Sequence, residues 1–161
     1  MKHSTFIGLW VLFLGMSTGM QAQNAPCTGS EYSTNADFFR ASASAQSSDA
    51  TASKKKAIIA ARTLLSNQIK AKAEMATQSQ ARFGDAERTQ FMELVRGVTR
   101  QAGADLKVIC EDTRQNGGKY KTDVVAEVPK ADILSSLVGQ AKSDDLLKGV
   151  FEESKFKQAF R

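Results

Sequence analysis

Ser17 is the first candidate nucleophile in the chain, because residues 15–19 read Gly-Met-Ser-Thr-Gly. In hydrolases with a Gly-x-Ser-x-Gly motif, the serine is exposed on a sharp turn between a strand and a helix. Residues 15–19 have no such context, since they follow an apolar run typical of a secretory signal. We therefore interpret the match as chance.

Adjacent carboxylates occur three times, and carboxylates alone can hydrolyse glycosides. The three pairs are Glu111-Asp112, Asp144-Asp145 and Glu152-Glu153. Adjacent side chains on a helix or strand point in different directions, so the members of a pair do not converge on one proton. We expect surface and helix-terminal roles for them. A small secreted carboxylate-dependent hydrolase remains the alternative function, and it would need two carboxylates that face each other across a concave pocket.

His3 is the only histidine in the sequence, and it lies in the predicted signal segment. The mature chain would therefore lack the usual general base and the commonest metal ligand. The sequence also has no acidic loop with Ca²⁺ spacing and no glycine-rich phosphate loop after a strand. We predict a protein that is not an enzyme and has no metal and no cofactor.

Cys27 and Cys110 are the two cysteines, and an even number in an exported protein favours a disulfide. Two other interpretations concern one cysteine each. Cys27 follows the signal closely, but residues 24–26, Asn-Ala-Pro, depart from a bacterial lipidation site. Cys110 shares the alternation of Leu106 and Val108, so we expect it to face the core, either paired or as a buried thiol. A disulfide would tie the N-terminal segment to the sheet.

The stretch 50–82 is strongly basic, with seven basic residues and one acidic residue, Glu74. Lys54, Lys55 and Lys56 stand in the first turns of a predicted helix, where the helix dipole disfavours positive charge. Acidic partners four residues away are nearly absent. One interpretation is a solvated helix face balanced by acids elsewhere. The other is an anion-binding flank, formed by Lys55, Lys56, Arg62 and Lys70 on one side of the helix.

Residues 1–22 have the pattern of a secretory signal peptide. Lys2 supplies a positive start, residues 6–14 are apolar, and Met20-Gln21-Ala22 is a cleavage site. The apolar run is short for a membrane span, so we favour cleavage over a retained anchor. Removal of Lys2 leaves 21 basic and 17 acidic residues, a net charge of +4. The mature chain is predicted to be periplasmic or secreted.

The flanking elements predict a single domain over residues 38–161, preceded by an extended lead-in over 23–37. Residues 38–47 alternate as a strand, with Phe39 and three alanines on one face. A helix capped by Ser48 or Asp49 follows and runs to about Gln80. Its apolar seam consists of Ile58, Ala61, Leu65, Ile69 and Ala76, flanked by Ala57, Leu64 and Met75.

The second half of the chain predicts one helix, a hairpin and two further helices. Asp85 should cap a helix that runs to about Gln101, with Gly103 placed to end it. Alternating residues on both sides of Asn116-Gly117 indicate a β-hairpin, and helices should follow over 131–142 and 145–160. The order β-α-α-β-β-α-α predicts an α+β fold. We expect a three-stranded, mostly antiparallel sheet with the long helix across one face.

The strand and long helix resemble the LPP20 family of bacterial envelope proteins. The similarity lies in residues 39–45, Phe-Arg-Ala-Ser-Ala-Ser-Ala, in Lys54 to Ala57, and in residues 60–66, Ala-Ala-Arg-Thr-Leu-Leu-Ser. It extends over roughly residues 38–138 and includes the hairpin. The resemblance implies an exported or lipid-anchored protein, often a surface antigen, without catalytic residues to carry over. The missing lipidation pattern at Cys27 separates this chain from the anchored members.

These features together predict a non-enzymatic exported envelope protein that acts by binding or assembly. Its expected partners are envelope components or another envelope protein, with weak association to anionic surfaces. Export, the small net charge and the lack of aromatics among the basic residues argue against nucleic-acid binding. Assembly into a homo-oligomer is left open.

Overall fold

The computed structural model of the protein describes residues 25–161, so the predicted signal peptide and Ser17 lie outside the described residues. The elements are β1 (Phe38–Ser47), α1 (Ala50–Thr77), α2 (Asp85–Ala104), β2 (Lys107–Asn116), β3 (Lys119–Pro129), α3 (Lys130–Ser143) and α4 (Glu153–Phe160). A short 3-10 turn over Ser30–Tyr32 interrupts the lead-in. The predicted α+β class and the order of strands and helices are confirmed.

The sheet has the order β1-β3-β2, and both strand pairs are antiparallel. The helix-facing side of β1 carries Phe39 and Ala41, which lie opposite Val128 and Ala126 of β3. Small side chains on this face let a helix backbone approach closely. The helix α1 therefore packs across β1 and β3, with a buried residue at every fourth position, namely Ser53, Ala57, Ala61, Leu65, Ile69, Ala73 and Thr77.

The contact stripe of α1 is narrower than the predicted seam. Leu64 and Met75 were expected to flank the seam, but they are 43% and 57% exposed, so this prediction is wrong. Both lie roughly a quarter turn from Leu65 on the helix. Because the i, i+4 row sits close to the sheet, side chains a quarter turn away point past it.

Asp49 and the hairpin turn confirm two local predictions. The Asp49 carboxylate accepts a hydrogen bond of 2.7 Å from the Ala52 backbone N–H, as an N-cap should. Gly117 and Gly118 form the two-residue turn between β2 and β3 and have φ values of 56° and 78°. Such angles are strained for residues with a side chain, which explains the glycine pair.

A β-bulge in β2 changes the face on which Cys110 lies. The register shifts between Val108 and Cys110, so that Val108 lies opposite Ala126 while Cys110 lies opposite Val125. Ile109 is the extra residue. The expectation that Cys110 faces the core with Val108 is therefore wrong, because the bulge reverses the alternation. Cys110 lies on the sheet face opposite α1.

The lead-in crosses this second face and is held there by the predicted disulfide, which is confirmed. Cys27 is bonded to Cys110, with a Cα–Cα distance of 5.6 Å. Arg40 adds a second attachment, since it pairs with Glu127 at 2.9 Å and donates a hydrogen bond to the Glu31 carbonyl oxygen. The lead-in and the disulfide together explain why Val125 is fully buried although it points away from α1.

The free edge of β1 is bonded near the start of the strand, at Arg40, by side chains from two directions. The Thr34 hydroxyl accepts from the Arg40 N–H at 2.9 Å and donates to the Arg40 carbonyl oxygen at 3.1 Å. The Gln68 amide of α1 donates to the same carbonyl oxygen at 2.9 Å. The backbone groups of Arg40 that point away from β3 are therefore satisfied.

The C-terminal segment differs from the predicted helix over 145–160, of which only Glu153–Phe160 is helical. Residues 144–150 form turns. The fully buried Gln80 explains the break, because its side-chain amide bonds the Glu152 backbone N–H at 2.7 Å and the Glu152 carbonyl oxygen at 3.2 Å. The bond at the Glu152 N–H replaces the one that would continue a helix from residue 148, while the Glu152 carbonyl oxygen also accepts the first bond of α4, from the Phe156 N–H at 3.0 Å. Phe151 and Phe156, on either side of this point, both pack on Phe91.

Glu153 links α4 to α3 through two lysines and should make stability depend on pH. Hydrogen bonds from Lys157 at 2.5 Å and Lys142 at 2.9 Å lower the pKa of Glu153 from 4.5 to about 2. Because the pKa of Glu153 is lower in the folded state, its ionised carboxylate stabilises that state above pH 4.5. This contribution is lost as the pH falls toward 2. We expect the Glu153 carboxyl carbon to titrate near pH 2 in an NMR experiment.

The variant Glu153→Gln is the matched control for this prediction. Its urea midpoint should fall less steeply than that of the parent between pH 5 and pH 2. Titration of Glu153 at its ordinary pKa, with identical slopes for both proteins, would contradict the prediction.

Candidate anion-binding groove

A groove of about 570 Å³ runs between α1 and α2 and is lined by four basic residues. From α1 it is lined by Arg62, Thr63, Ser66, Asn67 and Lys70, and from α2 by Arg96, Thr99, Arg100 and Ala104. The loop over residues 78–84 reverses the chain, so the two helices run side by side. Their buried faces pack together and leave the polar faces to form the groove.

Gly103 allows Arg62 to lie against α2. A Cβ atom at Gly103 would be 2.9 Å from Cγ of Arg62 and 3.1 Å from Cδ, which is closer than such atoms approach. The aliphatic stem of Arg62 therefore occupies the space that a side chain would fill. The prediction that Gly103 ends α2 is wrong, because the helix continues to Ala104 and this glycine serves packing.

The four basic residues of the groove face few competing carboxylates. No acidic residue lines it. Arg96 pairs with Glu93, but within residues 25–161 no carboxylate oxygen lies within 4.0 Å of the charged nitrogens of Arg62, Lys70 or Arg100. By contrast, Lys54 of α1 pairs with Glu111 at 2.8 Å. Lys54 is therefore charge-compensated, whereas the two α1 cations of the groove are not.

Neutral donors also line the groove. The hydroxyl groups of Thr63 and Thr99 already donate to backbone oxygens of their own helices, at 3.1 Å and 3.0 Å. The side chains of Ser66 and Asn67 make no hydrogen bond within the described part of the chain. An anion in the groove would therefore meet two free neutral donors in addition to the cations.

Only half of the predicted anion-binding flank belongs to the groove. Arg62 and Lys70 line the groove, whereas Lys55 and Lys56 are exposed on the preceding turns of α1 and do not line it. Lys55 precedes Arg62 by seven residues, which is two helical turns, so both project from the same side of α1. The four residues share a side of the helix, but only two belong to the groove.

Arg96 and Arg100 were not among the predicted site residues. They stand four residues apart, and residues at this spacing share a helix face. That face is opposite the predicted apolar residues Phe91, Val95 and Val98, which are buried. Their spacing was a usable signal, but only the antiparallel pairing of α1 and α2 shows that they lie beside Arg62 and Lys70.

The carboxylates considered for hydrolysis are mostly engaged in ion pairs or caps. Glu111, Asp112, Asp145, Glu152 and Glu153 each pair with a lysine or arginine. The Asp144 carboxylate accepts hydrogen bonds from the backbone N–H groups of Leu146 and Leu147.

Two other carboxylates, Asp105 and Asp132, line one cavity between α2, β3 and α3. Its volume is about 160 Å³, below the roughly 300–1,000 Å³ of small-molecule sites. Asp105 also accepts a hydrogen bond of 2.7 Å from Gln101. The cavity is thus a poorer candidate than the groove, and the hydrolase stays an alternative hypothesis.

No cluster of three or more His, Cys, Asp or Glu residues within residues 25–161 could hold a metal ion. No helix in the same part has the length and apolar content that crossing a bilayer requires.

Comparison of the chain with protein-family models finds no match, and comparisons with curated proteins and with solved structures find none either.

Proposed function

We propose that the protein is a non-enzymatic exported bacterial envelope protein that binds anionic envelope surfaces through the basic side of α1. One observation carries the proposal. Arg62, Lys70, Arg96 and Arg100 line one groove that no acidic residue lines, and three of the four have no carboxylate partner within the described residues. A side of a helix left uncompensated in this way attracts anions from outside the molecule.

Two further features support export and an envelope location. Disulfides persist in oxidising compartments, and Cys27 is bonded to Cys110. The signal-like pattern of residues 1–22 and the resemblance to the LPP20 family favour the periplasm or secretion. The proposed partners are envelope components or another envelope protein, and the proposed action is attachment or assembly.

The strength of such attachment follows from the number of charges. Near an anionic lipid surface, each basic residue contributes about 1 kcal/mol, and salt screens this attraction within about 8–10 Å. Lys55, Lys56, Arg62 and Lys70 could therefore hold the protein reversibly. Attachment must weaken as salt concentration rises.

Replacing Lys55, Lys56, Arg62 and Lys70 with Gln should abolish most binding to anionic liposomes at low salt. The loss of four attractive charges corresponds to about 4 kcal/mol at most, or close to a thousandfold in affinity. Co-sedimentation with vesicles that contain phosphatidylglycerol measures this. The parent should also detach when the salt concentration is raised.

A second variant with the same change in net charge serves as the control. It carries Gln at four exposed or half-exposed basic residues elsewhere, namely Lys72, Arg82, Lys107 and Lys119. None of these lines the groove, and none is ion-paired within residues 25–161. Binding by this variant should stay close to that of the parent. The proposal fails if both variants bind equally, or if binding by the parent ignores salt.

A further inference from the structure

We propose that the groove between α1 and α2 binds a single phosphomonoester group, with Arg62, Arg100, Arg96 and Lys70 as its cationic contacts. This inference rests on the proposed function, since it names the chemical group that the basic side of α1 recognises. It adds the α2 arginines to the site, and it excludes Lys55 and Lys56 from the specific contact.

The type and number of cations favour a phosphate over a carboxylate. Three of the four are arginines, whose planar guanidinium groups match two oxygens of a phosphate at once. A phosphomonoester carries about 1.5 to 2 negative charges at neutral pH, so several arginines can share one group. Arg96 is held only by Glu93 in an exposed pair three residues away, with side chains 60% and 51% exposed. An exposed ion pair of this kind contributes little to stability, so Arg96 can leave Glu93 and bind a more highly charged anion.

The remaining lining explains why the phosphate itself, and not the rest of the ligand, is recognised. Ser66 and Asn67 offer free neutral donors for phosphate oxygens. No aromatic residue lines the groove for stacking a base, and Ala104 is its only apolar residue. A base, sugar or acyl chain attached to the phosphate would therefore extend into solvent.

Gly103 supplies a test that changes geometry without changing charge. In Gly103→Ala, the new Cβ would meet Arg62 at Cγ, near the root of its side chain, so the whole side chain must move. Gly97 lies in the same helix, and a Cβ there would meet nothing within 4 Å. Both substitutions raise helix propensity, which offsets part of the strain that the new Cβ introduces at Gly103. Gly103→Ala should weaken phosphate binding, while Gly97→Ala should leave it unchanged.

The probe for the experiment is inorganic phosphate, titrated into the disulfide-bonded protein and followed by backbone amide shifts in NMR. Saturable shifts are expected at Arg62, Ser66, Asn67 and Arg100. Arg62→Gln and Arg100→Gln should each weaken binding by roughly tenfold, the usual effect of removing one charged hydrogen-bonding partner. Lys55→Gln with Lys56→Gln should change it by less than about twofold, because these charges act only at long range.

Vesicles distinguish the two sources of a phosphomonoester. Phosphatidic acid exposes a phosphomonoester, whereas phosphatidylglycerol carries a phosphodiester with one charge. If the source is a lipid, the parent should prefer phosphatidic acid at equal surface charge, and Arg100→Gln should remove the preference. Phosphate binding without this preference supports a free phosphorylated compound as the ligand.

The inference is overturned if phosphate does not saturate the groove, or if Arg62→Gln and Arg100→Gln bind it as the parent does. That result is distinguishable from failure of the proposed function. If phosphate does not bind in the groove, but the variant with Gln at Lys55, Lys56, Arg62 and Lys70 still loses binding to anionic vesicles, surface attachment stands without a specific groove. If phosphate binds but vesicle association ignores salt and substitution, the groove stands and surface attachment is wrong.

Discussion

Substitution of Phe156 by Ala is expected to lower the free energy of unfolding by about 3 to 5 kcal/mol. Phe156 is fully buried in α4, and its ring centroid lies 5.1 Å from that of Phe91 and 5.4 Å from that of Phe151. Its removal would leave a cavity where three segments meet, since Phe160 also packs on the same ring at 5.6 Å. Urea denaturation followed by circular dichroism measures the loss.

Two controls separate this effect from a general sensitivity of α4. Phe156→Leu keeps most of the apolar volume and should cost much less, while Gln158→Ala changes an exposed residue of the same helix and should be nearly neutral. Hydrogen exchange in Phe156→Ala should accelerate first in α4. A loss below about 1 kcal/mol would show that the aromatic cluster is not needed to hold the C-terminal segment.

Loss of the disulfide is expected to cost about 4 to 5 kcal/mol. Cys27 and Cys110 are 83 residues apart, and closing a loop of that length removes much conformational freedom from the unfolded chain. Cys27→Ala with Cys110→Ala should therefore lower the melting temperature by roughly 10 °C or more. Calorimetry and urea titration measure the change.

Chemical reduction of the parent is the matching control, because it opens the same loop without changing the sequence. Reduced parent and double variant should be equally destabilised. If the double variant is as stable as the oxidised parent, the cross-link constrains only the lead-in and leaves the stability of the sheet and helices unchanged.

Several elements could be predicted because their signals are local. Asp49 caps α1 through a bond to the backbone three residues away, and Gly117 with Gly118 supplies the angles that the hairpin turn requires. The alternation of β1 identified Phe39 and Ala41 as its core face. Each of these predictions depends on neighbours in the sequence, and each is confirmed.

Other features depend on contacts between distant residues. No glycine or proline near Ile109 signals the bulge in the sequence. The simple alternation of residues therefore placed Cys110 on the wrong face of the sheet. The last helix begins late because Gln80, 72 residues earlier in the chain, bonds the backbone of Glu152. The groove itself exists only when α1 and α2 pack together, and this pairing brings Arg100 to the side of Arg62.

The bonds of Thr34 and Gln68 to Arg40 have a consequence for the behaviour of concentrated protein. A strand at the edge of a sheet is a template on which another chain can extend the ladder and start a polymer. Near the start of β1 the template is already occupied, because the Arg40 N–H and carbonyl oxygen are both bonded within the molecule. An incoming strand would have to displace these bonds before it could pair with this part of β1, which hinders edge-to-edge polymerisation there.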